Sequence, residues 1–327
     1  LEGKEPEYVV VLHMEPDHAG SLKTLVEKYP NIKIVGNTKT FMFMNQFFDM
    51  DIEDKKVLVS EGDVLELGTH KLSFINAPMV HWPEVMVAFD SESKILFAAD
   101  AFGKFGALEG EVVLEDESTW SCEARRYYFN IVGKYGMQVQ GLLKKAAALD
   151  IQMICPLQGP VLKDNLKFFI DKYDTWSSYK PEDKGVFIAY ASIHGNTAKA
   201  AKKMEELLKE AGEEKVAITD LTRDDIAEAV EDAFRYDRLV LAASSYDGGV
   251  FTSMEVFLNR LAHKGYKNRT VAIIENGTWA PSAARKMKEV LSTMKDINVI
   301  DNVVTIKSSM KDDTVAAMKE LAKEIVG

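Results

Sequence analysis

The stretch His13-Met14-Glu15-Pro16-Asp17-His18 places four metal-capable side chains within six residues. It directly follows the apolar run Tyr8-Val9-Val10-Val11-Leu12, which is short and rich in β-branched residues and therefore predicts a buried strand. The hexapeptide thus lies where a strand gives way to a loop, a position at which functional groups are common. Imidazole and carboxylate together suit zinc, iron or manganese, whereas Mg2+ and Ca2+ prefer oxygen ligands alone. The stretch therefore predicts a transition-metal site.

Two further candidate ligands follow apolar segments later in the chain. His81 comes after Asn76-Ala77-Pro78-Met79-Val80, and Asp100 closes the strand-like run Ile95-Leu96-Phe97-Ala98-Ala99. An aspartate at a strand end is able to bridge two metals because each of its oxygens can reach a different ion. Taken singly, either residue is typical of a cap or a turn. Together with the hexapeptide, they form a consistent ligand set.

Composition restricts the class of protein. With 327 residues, 46% of them hydrophobic, the chain is long enough for two domains with substantial cores. A formal net charge of -11 argues against nucleic acid or an anionic membrane as a partner. The sequence shows neither a long apolar span nor a signal segment, so we expect a cytoplasmic protein. Cys122 and Cys155 are too few for an iron centre with four cysteine ligands, which would have to be on another protein.

A polar segment that contains both Pro and Gly, residues 179–185, marks a boundary. We predict one domain over residues 1–180 and a second over residues 181–327. In the second, five strand candidates alternate with helical segments: 185–190, 216–219, 238–243, 270–274 and 297–305. This alternation predicts an open parallel sheet that is covered on both faces and binds ligands beyond the carboxyl ends of its strands.

Three loops at the ends of these strands predict a flavin site. They are Ser192-Ile193-His194-Gly195-Asn196-Thr197, Ser244-Ser245-Tyr246-Asp247-Gly248 and Asn276-Gly277-Thr278-Trp279-Ala280. The first loop combines hydroxyl groups, a glycine and a helix start without lysine or arginine, which favours phosphate binding by backbone N–H groups. Tyr246 and Trp279 offer flat faces on which a ring can stack. We therefore predict that these loops bind FMN.

Over its whole length the chain resembles a flavodiiron protein, a member of the A-type flavoprotein family. The resemblance is carried by the metal hexapeptide, by Pro78-Met79-Val80-His81-Trp82-Pro83, by Asp100-Ala101-Phe102-Gly103 and by the FMN loops. It implies an α/β fold in which a metallo-β-lactamase-like αββα sandwich precedes a flavodoxin-like five-stranded parallel sheet. It also implies two non-haem irons, one bound by His13, Glu15 and His81, the other by Asp17 and His18, with Asp100 as the bridge.

The same resemblance implies a function. The family reduces O2 to water or NO to N2O with electrons that pass through FMN. The expected electron donor is a separate protein, such as rubredoxin or a flavin reductase. The expected assembly is a head-to-tail homodimer or a tetramer of such dimers.

Two features depart from the family pattern. Gln158, within Cys155-Pro156-Leu157-Gln158-Gly159-Pro160-Val161, stands where the pattern has histidine, and glutamine is a weak neutral ligand beside imidazole. The second iron is therefore expected to be loosely bound or replaced, or the site to be mononuclear. Only twelve residues precede His13, whereas the family has several strands there, so the sandwich is expected to lack its first strands in this chain.

Two other functions stay open at this point. The first is an FMN electron carrier whose metal site is impaired or mononuclear, which the presence of Gln158 favours. The second is a metal-dependent hydrolase, since the same metal fold hosts hydrolases in which a metal-bound water attacks an ester. The predicted FMN loops count against the hydrolase, because hydrolysis makes no use of a flavin.

Overall fold

The computed structural model describes residues 3–108, 110 and 112–327. The chain divides into two compact units, Leu1–Ser177 and Ser178–Gly327. The sequence placed the domain boundary three residues later, between residues 180 and 181. None of the helices in the described ranges has the length and apolar character that a membrane crossing needs.

The first unit contains two sheets. The strands are β1 Tyr8–Val10, β2 Lys33–Gly36, β3 Lys56–Leu58, β4 Val64–Leu67, β5 His70–Asn76, β6 Met86–Asp90, β7 Ile95–Phe97 and β8 Met153–Cys155. β1, β2 and β3 form a parallel sheet in that order, and β4 to β8 form the other. In the second sheet only β7 and β8 pair in parallel, and the other neighbours are antiparallel.

Helices cover these sheets. They are α1 Pro16–Ala19, α2 Leu22–Lys28, α3 Thr38–Phe47, α4 Ser121–Tyr127, α5 Gly136–Ala146 and α6 Leu166–Ser177. Apolar residues of β2 and α3, among them Ile34, Phe41 and Met44, are buried together. The predicted first strand is real but ends at Val10, two residues before its apolar run does. Leu12 instead accepts a hydrogen bond from the backbone N–H of Met86, which links the two sheets.

An aromatic cluster fixes the loop that follows β7. Trp120 and Trp176 stack with their ring centroids 5.6 Å apart, and Tyr173 packs against both. The ring of Phe102 stacks on Tyr173 at 4.3 Å, and the Phe102 backbone N–H donates a hydrogen bond to the Tyr173 hydroxyl at 2.6 Å. Because Phe102 lies two residues after Asp100, these contacts determine where the Asp100 carboxylate points.

The second unit is built on five parallel strands in the order β10-β9-β11-β13-β14, to which a short antiparallel strand, β12, adds. The strands are β9 Asp183–Ala191, β10 Val216–Asp220, β11 Tyr236–Tyr246, β12 Gly249–Val250, β13 Arg269–Asn276 and β14 Ile297–Ile306. The helices are α7 Asn196–Glu210, α8 Ile226–Arg235, α9 Thr252–His263, α10 Ala283–Leu291 and α11 Asp312–Val326. If the five parallel strands are numbered 1 to 5 along the chain, their order across the sheet is 2-1-3-4-5. This is the flavodoxin-like doubly wound order. The predicted fold class is confirmed in both units.

One strand is longer than its apolar pattern predicts. β11 continues past Ala243 to Tyr246, because Ser244 still pairs with Asn276 of β13. The first residues of the second predicted loop therefore belong to a strand, and backbone pairing fixes their direction.

A buried arginine ties the start of the second unit to its sheet. The Arg269 side chain is 2% exposed, and its guanidinium donates hydrogen bonds to the backbone carbonyls of Tyr179, Phe234 and Tyr236. Burial lowers the pKa of Arg269. Each carbonyl would lack this partner if the guanidinium were removed, and buried unpaired carbonyls are costly.

We expect Arg269→Met to lower the free energy of unfolding by about 2 to 4 kcal/mol, because it leaves several buried carbonyls without their donor. Urea unfolding of the whole chain measures the change. Lys209→Met is the matched control, since its exposed ion pair with Glu205 contributes less than about 0.5 kcal/mol. Equal losses in the two variants would contradict this role for Arg269.

Candidate functional site

Four predicted ligands converge in the first unit. His13 follows β1, His81 precedes β6 and Asp100 follows β7, and the ligand atoms of these residues and of Glu15 lie within 4.8 Å of one another. His81 Nε2 is 3.0 Å from Glu15 Oε2 and 3.1 Å from Asp100 Oδ2. His13 Nε2 is 3.3 Å from each of the same two oxygens. Two nitrogens and two oxygens therefore surround one position suited to a transition metal.

A second group of ligands lies beside the first. Glu15, Asp17 and His18 bring their ligand atoms within 4.8 Å of one another. His18 Nε2 is 2.9 Å from Asp100 Oδ1 and 3.4 Å from Asp17 Oδ2. Asp100 thus presents Oδ2 to the first group and Oδ1 to the second, which is the arrangement that a bridging carboxylate requires.

The donor atoms at this junction lack ordinary partners. Asp100 is fully buried, and the imidazole nitrogens closest to its oxygens, His18 Nε2 at 2.9 Å and His81 Nε2 at 3.1 Å, do not meet them with the angles of a hydrogen bond in the described part of the chain. A charged carboxylate is costly to bury without compensation. Metal cations between these groups would supply the missing partners, so the residues present fit a binuclear metal centre.

The electrostatics of the site also favour cations. Burial raises the pKa of Asp100, but the imidazoles of His13, His18 and His81 lower it by more and hold it well below its usual range. Burial lowers the pKa of His13, but Asp100 and Glu84 outweigh that effect and raise it to about 10. The Asp100 carboxylate therefore stays ionised and stabilises positive charge among the imidazoles.

A residue that the sequence analysis did not identify orients His13. Glu84 is buried, and its Oε1 accepts hydrogen bonds from His13 Nδ1 at 2.7 Å and from the Met14 backbone N–H at 2.9 Å. Because Nδ1 faces Glu84, Nε2 is the nitrogen directed towards Glu15 and Asp100, and a metal that binds there would replace the Nε2 proton. The Glu84 carbonyl in turn accepts a hydrogen bond from Asn37, whose side chain caps α3. In the sequence, the signal for Glu84 was its position as a single carboxylate directly before the apolar run Val85-Met86-Val87-Ala88.

Gln158 lies next to the second ligand group, but it presents a donor there. Its Nε2 donates a hydrogen bond to Asp17 Oδ2 at 2.6 Å. An amide nitrogen has no lone pair available for a metal, whereas the amide oxygen does. Gln158 therefore contacts a predicted ligand without acting as one in this arrangement.

The second unit contains a cavity of about 670 Å3 at the carboxyl ends of its strands, a size typical of cofactor sites. Every residue of the three predicted FMN loops lines it except Gly195. Gly195 has a φ of +85° before α7, and its N–H donates to Ser192 Oγ at 3.1 Å. It therefore shapes the first loop without lining the cavity.

Four lining residues were not predicted: Pro281, Ser282, Arg285 and Ser308. Arg285, in α10, donates a hydrogen bond to the Gly248 carbonyl at 3.2 Å. Ser308, after β14, exchanges backbone hydrogen bonds with the Asn276 side chain. The helix and strand patterns gave no signal for these contacts, because each depends on how a neighbouring element packs beside the loop.

Two family models match the chain: one described as ODP family beta lactamase over residues 2–159, and one described as a flavodoxin domain over residues 187–304. An uncharacterised protein of Methanocaldococcus jannaschii is 29% identical over 329 residues, which cover 99% of this chain and 82% of that protein. The anaerobic nitric oxide reductase flavorubredoxin of Klebsiella pneumoniae is 25% identical, over 86% of this chain and 59% of its own length. Rubredoxin:oxygen oxidoreductase of Desulfovibrio gigas superimposes with a TM-score of 0.89 at 23% identity, over 99% of this chain and 82% of that one.

The chain belongs to the flavodiiron protein family. It combines the family's two domain types with its metal-ligand hexapeptide, as the sequence resemblance implied. The chain spans about a third of the length of the cyanobacterial diflavin flavoproteins that it matches. At residue 158, where the sequence resemblance predicts histidine, this chain has glutamine.

We expect Glu84→Gln to lower the affinity of the first ligand group for Co2+ by about 10- to 100-fold, because the charge that orients His13 is lost. Competition of the metal-free chain with a coloured chelator measures the affinity. Glu92→Gln removes an exposed carboxylate from the same unit and serves as the control. An affinity for E84Q equal to that of the control would show that Glu84 does not orient the ligand.

Proposed function

We propose that the chain is a flavodiiron oxidoreductase that reduces O2 to water, NO to N2O, or both, with electrons passed from FMN to a non-haem diiron site. The observation that carries the proposal is the buried Asp100 carboxylate. Its two oxygens face different imidazoles, Oδ2 towards His13 and His81 and Oδ1 towards His18. This arrangement suits two adjacent metals, and adjacent metals suit reactions of O2 or of two NO molecules.

Each residue has a definite part in this proposal. His13, Glu15 and His81 would bind one iron, Asp17 and His18 the other, and Asp100 would bridge them. When bound, the irons provide the positions for O2 or NO and the flavin provides electrons singly. Because Glu84 orients His13 through Nδ1, the protein fixes this imidazole before any metal arrives.

The cavity of the second unit has the features that FMN needs. The first loop precedes α7, whose positive end and free backbone N–H groups favour a phosphate. Thr197 Oγ1 and Ser244 Oγ lie 2.9 Å apart at this end of the cavity and add hydroxyl donors. Tyr246 and Trp279 line another part of the wall and offer faces for a flavin ring.

The names of related proteins support the oxidoreductase class. They include a nitric oxide reductase flavorubredoxin and an oxidase of reduced coenzyme F420 from Methanothermobacter marburgensis. The chain covers 59% and 60% of their lengths, so their substrates and donors are proposals for this chain. We propose rubredoxin or a flavin reductase as the donor, because the two cysteines of residues 1–327 are too few for a rubredoxin-type centre within them. The cytoplasmic location stays a prediction from the sequence.

We also propose a head-to-tail homodimer or a tetramer of such dimers. Each unit has an exposed aromatic side chain beside its site. Trp279 at the FMN cavity is 90% exposed and Phe47 is 45% exposed. Phe47 stacks on Trp82, which contacts His13 edge-on at 5.3 Å. A partner chain that covered both rings would remove apolar surface from water at each site.

An FMN electron carrier with an impaired metal site is the second candidate. The hydrogen bond from Gln158 to Asp17 favours it, because this contact occupies an oxygen that a second metal would need. No observation on the described residues favours the hydrolase.

We expect about two irons and one FMN per subunit in anaerobically purified protein loaded with both. Elemental analysis and flavin absorbance measure the content, and electrodes measure O2 and NO consumption by the reduced protein.

In Asp100→Asn the amide is unable to bridge as an anion, so O2 and NO consumption should fall by at least about 100-fold while FMN content stays unchanged. If the wild type contains two irons and a full complement of FMN but consumes neither O2 nor NO, the electron-carrier function would be favoured.

We expect Trp279→Ala to weaken FMN binding by about 2- to 10-fold, because one stacking face is lost. Fluorescence titration of flavin-free protein with FMN measures the change. Val256→Ala, at an exposed apolar residue of α9 outside the cavity lining, is the control. An unchanged affinity in W279A would show that this ring does not contact the flavin.

A further inference from the structure

The two halves of the metal centre differ in their donors. The first half has four, two imidazoles and two carboxylates, from His13, Glu15, His81 and Asp100. The second half has Asp17 and His18 as its own residues, shares Glu15 with the first, and is faced by Asp100 Oδ1. The first half therefore offers two imidazoles and the second only one. Imidazole is a stronger neutral ligand for transition metals than the glutamine side chain is.

The halves also differ in their exposure to water. The side chains of His13 and Asp100 are 0% and 1% exposed, whereas the Asp17 side chain is 43% exposed. Water screens the attraction between a carboxylate and a cation, and this screening is much weaker in the buried half. The exposed Asp17 carboxylate thus attracts a metal less strongly than the buried Asp100 carboxylate does.

Gln158 adds to this difference through its orientation. Its amide N–H group donates a hydrogen bond to Asp17 Oδ2, the oxygen that lies 3.4 Å from His18 Nε2. A metal in the second half has to replace this hydrogen bond, and it gains no imidazole from residue 158 in exchange. A histidine at this position would remove the competing donor and supply a nitrogen ligand.

We infer that the chain binds its two metal ions with unequal affinity, and that Gln158 contributes to the difference. One ion binds tightly in the half formed by His13, Glu15, His81 and Asp100. The other binds weakly and exchanges with solvent at Asp17 and His18. The inference rests on the proposed binuclear use of the site, and it predicts that at limiting metal each subunit contains a single ion.

The test is an anaerobic titration of the metal-free full-length chain with Co2+, followed by its visible absorption and by competition with a coloured chelator. We expect two steps, with the second dissociation constant at least about 10-fold above the first, in line with the effect of a lost metal-orienting partner. His18→Ala should abolish the second step and keep the first. Gln158→His should lower the second dissociation constant by about 10-fold or more and leave the first unchanged.

Gln152→His is the matched control, because it introduces the same residue at an exposed position before β8. It should reproduce the wild-type titration. Gln158→Glu gives a second, independent variant, since it keeps the side-chain length and replaces the donor with an oxygen ligand. It too should strengthen the second step.

Two equal steps in the wild type would overturn the inference, and so would a second step unchanged in both Q158H and Q158E. The titration contains no reductant, O2 or NO, so its outcome is independent of the proposed reaction. Two unequal steps with no O2 or NO consumption by the two-iron protein would overturn the proposed function alone. Equal steps together with consumption would overturn only this inference.

Discussion

The metal centre depends on the burial of one carboxylate. Asp100 is removed from water, and no described residue gives its oxygens a hydrogen bond. Its charge is balanced by the nearby imidazoles, which keep the pKa of Asp100 low despite its burial. Because solvent does not screen this charge, the group attracts cations strongly. The stacking of Phe102 on Tyr173 holds the loop in the position that makes this possible.

A second buried carboxylate orients the ligands around the first. Glu84 contacts the His13 ring and the Met14 backbone, while its own carbonyl is bound by the cap of α3 through Asn37. His13 comes from the end of the first sheet and Glu84 from the start of a strand in the second. The geometry of one ligand therefore depends on the packing of two sheets, so changes outside the ligand set are able to alter metal binding.

Both units place their functional groups at strand ends, and backbone pairing explains how separate loops meet. In the second unit Ala243 pairs with Ala191, and Ser244 pairs with Asn276. The three cavity loops therefore leave the sheet along the same edge, beyond the carboxyl ends of its strands. In the first unit His13 and Asp100 also follow strands, β1 and β7. A stable sheet beneath each site allows the loops to vary while their origins stay fixed.

The sequence alone predicted the parallel sheet of the second unit and 15 of the 19 residues that line the cavity, because strand alternation, strand ends and helix starts are local patterns. The sandwich of the first unit was implied by the family resemblance. Through the family resemblance the sequence also predicted that Gln158 stands where a histidine is expected. Only the tertiary structure decided that Glu84 orients His13, that Arg285 reaches the cavity and that the Gln158 amide donates to Asp17. These contacts join residues 71, 37 and 141 positions apart. Their geometry depends on how whole elements pack, which local residue patterns do not specify.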